Sequence, residues 1–178
     1  DTHDWGNAGE STIGVYKSLD AGATFQPTDL SIDSPFTGTH SADFQFTDRR
    51  RIDRLIIHPT NPDILLAAFH DVSDPNKGGV FRTTDGGNSW NQVLPLSGMT
   101  GSFRDLDFKP GNPNIIYAGG GEGSLILRSN NAGATWTDLY SINGNNLVLP
   151  DPNTANAVHT VRTILGVSAD DPDVLYLM

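Results

Sequence analysis

The chain contains no cysteine, which excludes thiolate metal sites, a cysteine nucleophile and any disulfide framework. That absence does not fix a compartment, because a large β core holds together without disulfides. Lysine and glutamate are scarce, at three Lys and two Glu (Glu10 and Glu122) in 178 residues. With 21 acidic against 11 basic residues the formal net charge is −10. A nucleic-acid partner is therefore disfavoured, since binding phosphates requires a basic face. No apolar run approaches the length of a membrane-spanning helix, so membrane insertion is not expected, and the first residues lack the regions of a signal peptide. No stretch sustains a helical period.

What the chain has instead is turn chemistry. Its 19 Gly and 11 Pro are spread throughout and flank short apolar runs, the composition of many short strands joined by turns. Eight of the 11 basic residues are Arg, whose planar fork suits carboxylates better than a lysine does.

Two repeats organise these strands. Three segments align without gaps: Ser18-Leu19-Asp20-Ala21-Gly22-Ala23-Thr24-Phe25, Thr83-Thr84-Asp85-Gly86-Gly87-Asn88-Ser89-Trp90, and Ser129-Asn130-Asn131-Ala132-Gly133-Ala134-Thr135-Trp136. Each reads Ser/Thr-x-Asp/Asn-x-Gly-x-Ser/Thr-aromatic. Asp20, Asp85 and Asn131 suit an Asx-turn that collects nearby backbone N–H groups. Gly22, Gly87 and Gly133 tolerate positive φ. Phe25, Trp90 and Trp136 are large enough to wedge between sheets, and all three are expected to be buried there. Asn131 favours a structural reading, since an amide can staple a turn but cannot act as a general acid. Out of phase with this turn lies a strand, Asn/Asp-Pro-Asp/Asn, strand pattern, at 54–67, 105–118 and 164–177. Together they define blades of four strands, A to D.

The eight-residue pattern resembles the Asp-box (BNR) repeat of sialidases, sortilin-type ectodomains, xyloglucan-degrading propeller hydrolases and many secreted bacterial proteins. The resemblance implies an all-β propeller of four-stranded antiparallel blades. The whole chain is expected to form one partial propeller, with blade parts at about 1–30, 52–94, 103–140 and 161–178. These parts make about three blade equivalents, below the roughly four to eight of a closed propeller. The rest of its own propeller, or of its parent chain, is therefore an expected partner. The resemblance also implies an extracellular or cell-surface protein, bacterial in origin. No cofactor or metal is expected: the Asp-rich stretches 71–74 and 170–173 are conceivable calcium ligands, but neither matches an EF-hand spacing. Such a protein would be a non-catalytic binding or scaffold propeller that engages glycan or protein. The alternative is a glycoside hydrolase of the xyloglucanase or sialidase type, and a third reading is an assembly factor of the kind that helps build photosystem complexes.

Candidate ligand-binding residues lie on the long connections at about 30–51, 70–78 and 141–160, because long loops in compact domains are commonly functional. Arg51, Arg54, Arg104 and Arg162 offer guanidinium forks. A three-Arg carboxylate clamp of the sialidase kind would need Arg54, Arg104 and Arg162 to converge, yet Arg104 differs from the other two in strand parity. Pairing with Asp53, Asp105 and Asp107 is the plainer expectation. His70, Asp71 and His159 join them, with Asp43, Asp48 and Asp74 as further loop carboxylates for an acid/base pair. Phe44 and Phe46 present rings for stacking, as do Trp5, Phe36 and Phe103 unless they are tucked under their loops. His58 reads as a solvated turn residue, and Gly119–Gly123 as a flexible connection.

Overall fold

The computed structural model describes residues 14–31, 50–71, 78–95, 103–120, 126–139 and 163–178. These residues form antiparallel sheets of strands β1 (Gly14–Lys17), β2 (Gln26–Ser31), β3 (Arg50–Ile57), β4 (Leu65–Asp71), β5 (Gly79–Thr83), β6 (Asn91–Leu94), β7 (Phe103–Lys109), β8 (Asn112–Gly120), β9 (Ile126–Ser129), β10 (Thr137–Asp138), β11 (Leu165–Val167) and β12 (Leu175–Leu177). Strands β3–β6 and β7–β10 are two complete four-stranded blades, each ordered as a meander. Strands β1–β2 and β11–β12 are two-stranded sheets. They correspond to the last two strands of one blade and the first two of another. The fold is all-β, a partial propeller, as the repeats imply.

The sheets stack because their second strands are apolar on both faces. Leu66, Ala67, Ala68 and Phe69 of β4 are all fully buried, and alternate residues serve alternate cores. Ala67 and Phe69 join Val15, Leu30, Phe81 and Trp90 between β1–β2 and the β3–β6 blade. Leu66 and Ala68 join Val80, Leu94, Leu106, Ala118, Leu127 and Trp136 between the two complete blades. Each buried Leu or Phe contributes about 1.5–3 kcal/mol of apolar transfer.

Three expectations are corrected. Phe25 is 63% exposed. Trp90 and Trp136 each pack against the sheet that precedes their own blade, and no described sheet precedes the one that carries Phe25. His58 is buried, its ring edge-on to Phe108 of the next blade at 5.9 Å between centroids. Phe103 takes the buried of its two readings, fully enclosed in the core between the complete blades. The turn between β7 and β8 also departs from its counterpart. Lys109 pairs with Asn112, so Pro110-Gly111 makes a two-residue hairpin, with Gly111 at a φ of +75°. The matching position in the preceding blade is Thr60, which cannot adopt that conformation cheaply; there Asn61 Oδ1 accepts from Asp63 N–H across a longer turn. Gly119 and Gly120 belong to β8 rather than to a loop.

Candidate functional site

The box turns share one wiring. In the first, Asp20 accepts from Thr24 N–H at 2.8 Å and Thr24 O–H at 2.6 Å, and Ser18 Oγ accepts from Gly22 N–H. In the second, Asp85 accepts from Ser89 N–H and O–H at 3.0 and 2.5 Å, and Thr83 Oγ1 accepts from Gly87 N–H. In the third, Asn131 Oδ1 accepts from Thr135 N–H at 2.8 Å, and Ser129 Oγ accepts from Gly133 N–H. One bond is reversed there, because Asn131 Nδ2 donates to Thr135 Oγ1. The Thr24 hydroxyl and amide, with Ser18, hold the Asp20 carboxyl down at about 2. Burial alone would raise Asp85, but the bonds from Ser89, Thr83 and the turn backbone outweigh it and leave it lowered. These carboxylates are saturated by their own turns, so they have no capacity for acid/base work.

The arginines do not form a clamp. A β-bulge between Ile52 and Arg54 and another between Phe103 and Asp105 place Arg54 in register with Asp105, and Arg104 in register with Asp53. Arg54 Nε donates to the Leu106 carbonyl of the next blade at 3.2 Å and lies 3.8 Å from Asp105 Oδ1. Asp105 reaches one blade further, its Oδ2 accepting from Leu165 N–H at 2.9 Å. The same repeat position thus fastens each first strand to the backbone of the next. Arg104 is half-buried and engaged with its surroundings. Arg162, His159, Phe44 and Phe46 lie outside the described residues.

The part of the candidate set that the structure gathers is the long-connection end of β3–β4. Arg50 pairs with Asp71, and Arg51 with His70, across the two strands. Asp53 lies two residues along the strand from Arg51, whose Nε donates to Asp53 Oδ1 at 2.8 Å. Asp53 Oδ2 is buried with no partner among the described residues, an unused acceptor beside a guanidinium. Burial, foremost, raises the Asp107 carboxyl, against the Phe108 N–H bond and the nearby Arg54. That residue sits toward the opposite, short-turn end of its strand. No group of three or more metal-ligating side chains occurs among the described residues.

No family model matches the chain. A xyloglucanase of Hypocrea jecorina (strain QM6a) is 27% identical over 118 residues, which is 61% of this chain and 14% of that protein. A xyloglucanase of Paenibacillus sp. is 28% identical over 114 residues, 59% of this chain and 11% of that protein. A xyloglucanase of Acetivibrio thermocellus is 26% identical over 133 residues, 68% of this chain and 16% of that protein. The chain therefore spans only a small fraction of the length of these relatives. Among solved structures, an ancestral GH74 enzyme aligns with TM-score 0.49 and 22% identity over 72% of this chain and 15% of its own. YCF48 bound to D1 peptide aligns with TM-score 0.45 and 21% identity over 71% of this chain and 34% of its own.

Proposed function

We propose that the protein engages a β-glucan of the xyloglucan class through the long-connection end of β3–β4, with Arg51, Asp53, His70 and Asp71 as its polar contacts. The observation that carries this reading is that relatives named as xyloglucanases match more than half of the chain. Sugar hydroxyls both donate and accept, so a guanidinium beside an unused carboxylate oxygen offers the complementary pair. Phe44 and Phe46, in the connection that leads into β3, supply aromatic rings of the kind that stack on pyranose faces. A polysaccharide substrate is too large to cross a membrane, which favours an extracellular protein.

The role proposed is recognition rather than complete hydrolysis. A glycosidase needs two carboxyl groups about 5–10 Å apart with different protonation states. Asp20 and Asp85 are consumed by their turns and Asp105 by backbone N–H groups, while one oxygen of Asp53 is held by Arg51. Isothermal titration against xyloglucan oligosaccharides, with unsubstituted cello-oligosaccharides and sialosides as controls, tests the reading. Binding to xyloglucan fragments is expected, weakened about tenfold by Asp53→Ala, as for a lost hydrogen bond to charge. Absence of binding at millimolar ligand sinks the proposal. Release of reducing ends that Asp71→Asn abolishes would replace it with the hydrolase reading.

A further inference from the structure

Asp85-Gly86 is the only Asp-Gly step in the chain. Glycine after aspartate is the pairing most open to succinimide chemistry, because no side chain shields its amide nitrogen from the neighbouring carboxyl carbon. The other two box turns carry alanine at this place, Ala21 and Ala132, both with positive φ. Gly86 shares that conformation, but a Cβ there would lie 2.7 Å from Lys17 Nζ and 3.2 Å from Asp63 Oδ1. Packing around the second turn therefore favours glycine, and the labile step comes with it.

In the folded turn the reacting groups are held apart by their own hydrogen bonds. Gly86 N–H donates to the Asp63 carbonyl at 3.0 Å, and the Asp85 carbonyl accepts from Asn88 Nδ2 at 2.8 Å. The peptide plane between Asp85 and Gly86 is thus pinned on both edges. The Gly86 carbonyl accepts in turn from Lys17 Nζ. The carboxylate is pinned as well. Its Oδ1 accepts from Thr83 O–H at 2.7 Å and Ser89 N–H at 3.0 Å, and its Oδ2 from Ser89 O–H at 2.5 Å. Ring closure requires the Gly86 nitrogen to leave its acceptor and the carboxyl group to rotate out of these three bonds. It also proceeds through the neutral acid. Burial would raise the Asp85 carboxyl toward that form, but the bonds from Ser89 and Thr83 outweigh it and keep the group ionised.

We propose that Asp85-Gly86 is an isoaspartate-forming modification site, held inert by its box turn in the folded blade and modified when that turn opens. On opening, the Gly86 nitrogen attacks Asp85 Cγ. An N–Cγ bond forms, a Cγ–O bond breaks, and the hydroxyl leaves with the amide proton as water. Water then adds back to the ring. Addition at the carbonyl on Cα breaks its bond to nitrogen and leaves Gly86 joined through Cγ, which is isoaspartate. The main chain is then one carbon longer, and the free carboxylate sits directly on Cα, too short to reach Ser89 as Asp85 does. The staple does not re-form on refolding. Because the reaction runs through the open turn, its rate follows the population of that local opening.

Peptide mapping of the 178-residue protein after incubation at neutral pH reads the product, which has the mass of aspartate but separates from it on chromatography and accepts a methyl group from isoaspartyl methyltransferase. The folded protein is expected to form isoaspartate at position 85 at least about tenfold more slowly than the same chain in urea, the factor for one hydrogen bond to a charged group. Ser89→Ala and Asn88→Ala should each speed the folded reaction about threefold or more, for one bond lost, and leave the rate in urea unchanged. Gly86→Ala should slow the reaction in both states, and Ala132 holds the same place at a φ of +52°. Equal rates in the folded and urea-unfolded wild type overturn the proposal, and that comparison depends on no variant folding. So does a folded rate that Ser89→Ala and Asn88→Ala leave unchanged, or product that forms undiminished in Gly86→Ala.

Discussion

The β3–β6 and β7–β10 blades share a backbone plan yet carry opposite polarity at two of its positions. Arg54 donates to a carbonyl of the next blade, whereas Asp105, in the same register, accepts from an amide one blade further on. Asp85 accepts from the Ser89 hydroxyl, whereas Asn131 donates to the Thr135 hydroxyl. The plan therefore requires a polar side chain of a given reach at each position and leaves its sign open. A backbone offers both donors and acceptors along each strand, and a hydroxyl rotates to suit either. Sign becomes a local choice, with consequences for stability and pH.

The largest effect separates places where the plan is packed from places where it is open. Gly22 and Gly133 hold the same position with φ of +91° and +81°. A Cβ at Gly133 would lie 2.4 Å from Leu66 Cδ2, in the core between blades, and one at Gly22 would meet nothing within 4 Å. Gly22→Ala is expected to cost about 1–2 kcal/mol of left-handed strain. Gly133→Ala should add about 1–3 kcal/mol of overpacking to that strain. Urea unfolding compares the two; equal losses would show that Leu66 yields freely.

A smaller effect tests the opposite polarities directly. Asp105→Ala strips the bond from Leu165 N–H, a buried residue, and is expected to cost about 1–3 kcal/mol for the unsatisfied donor. Arg54→Ala, at a half-exposed guanidinium, should cost less than about 1 kcal/mol. Asp105→Asn should recover most of the loss, since an amide oxygen still accepts. Hydrogen exchange at the Leu165 amide reads the bond itself, and unchanged protection in Asp105→Ala would refute its role.

Much of this was legible in the residues. Alternation and turn chemistry placed the strands to within a few positions, and three aligned turns marked the blades. Lys17 and Arg82 stand just before their turns and donate to the Gly86 and Ala132 carbonyls of the next turn, so that interblade contact also had a visible signal. What was hidden depends on neighbours across a blade boundary. Phe25 matches Trp90 in sequence but lacks a preceding described sheet. His58 looks like a solvated turn residue until Phe108 of the next blade covers it. The bulges at Asp53 and Arg104 shift strand parity by one, and no residue there announces a bulge. Among the binding candidates, only the Arg51, His70 and Asp71 group is drawn together in the described backbone.

The smallest effect concerns acid. Asp20 is held at about 2 against about 3.9 for a free carboxyl, and Asp85 is lowered as well. The folded carboxylates bind protons more weakly than the unfolded ones. Their stabilisation is therefore complete above the unfolded value and is lost as pH falls from about 4 toward the folded pKa. Asn131 does not titrate, so the third turn contributes nothing to this slope. Asp85→Asn should copy the third turn, with Ser89 switching from donor to acceptor as Thr135 does. At neutral pH it should cost less than about 1 kcal/mol, the difference between a charge-assisted and a neutral bond. Asn131→Asp should do the reverse, keeping the turn but adding a third group that must be protonated. Thermal melts from pH 7 to pH 2 are expected to order the proteins, with Asp85→Asn losing least and Asn131→Asp most. Parallel curves for all three would show that turn carboxylates do not set the acid response, and that the sign of the staple has no thermodynamic weight.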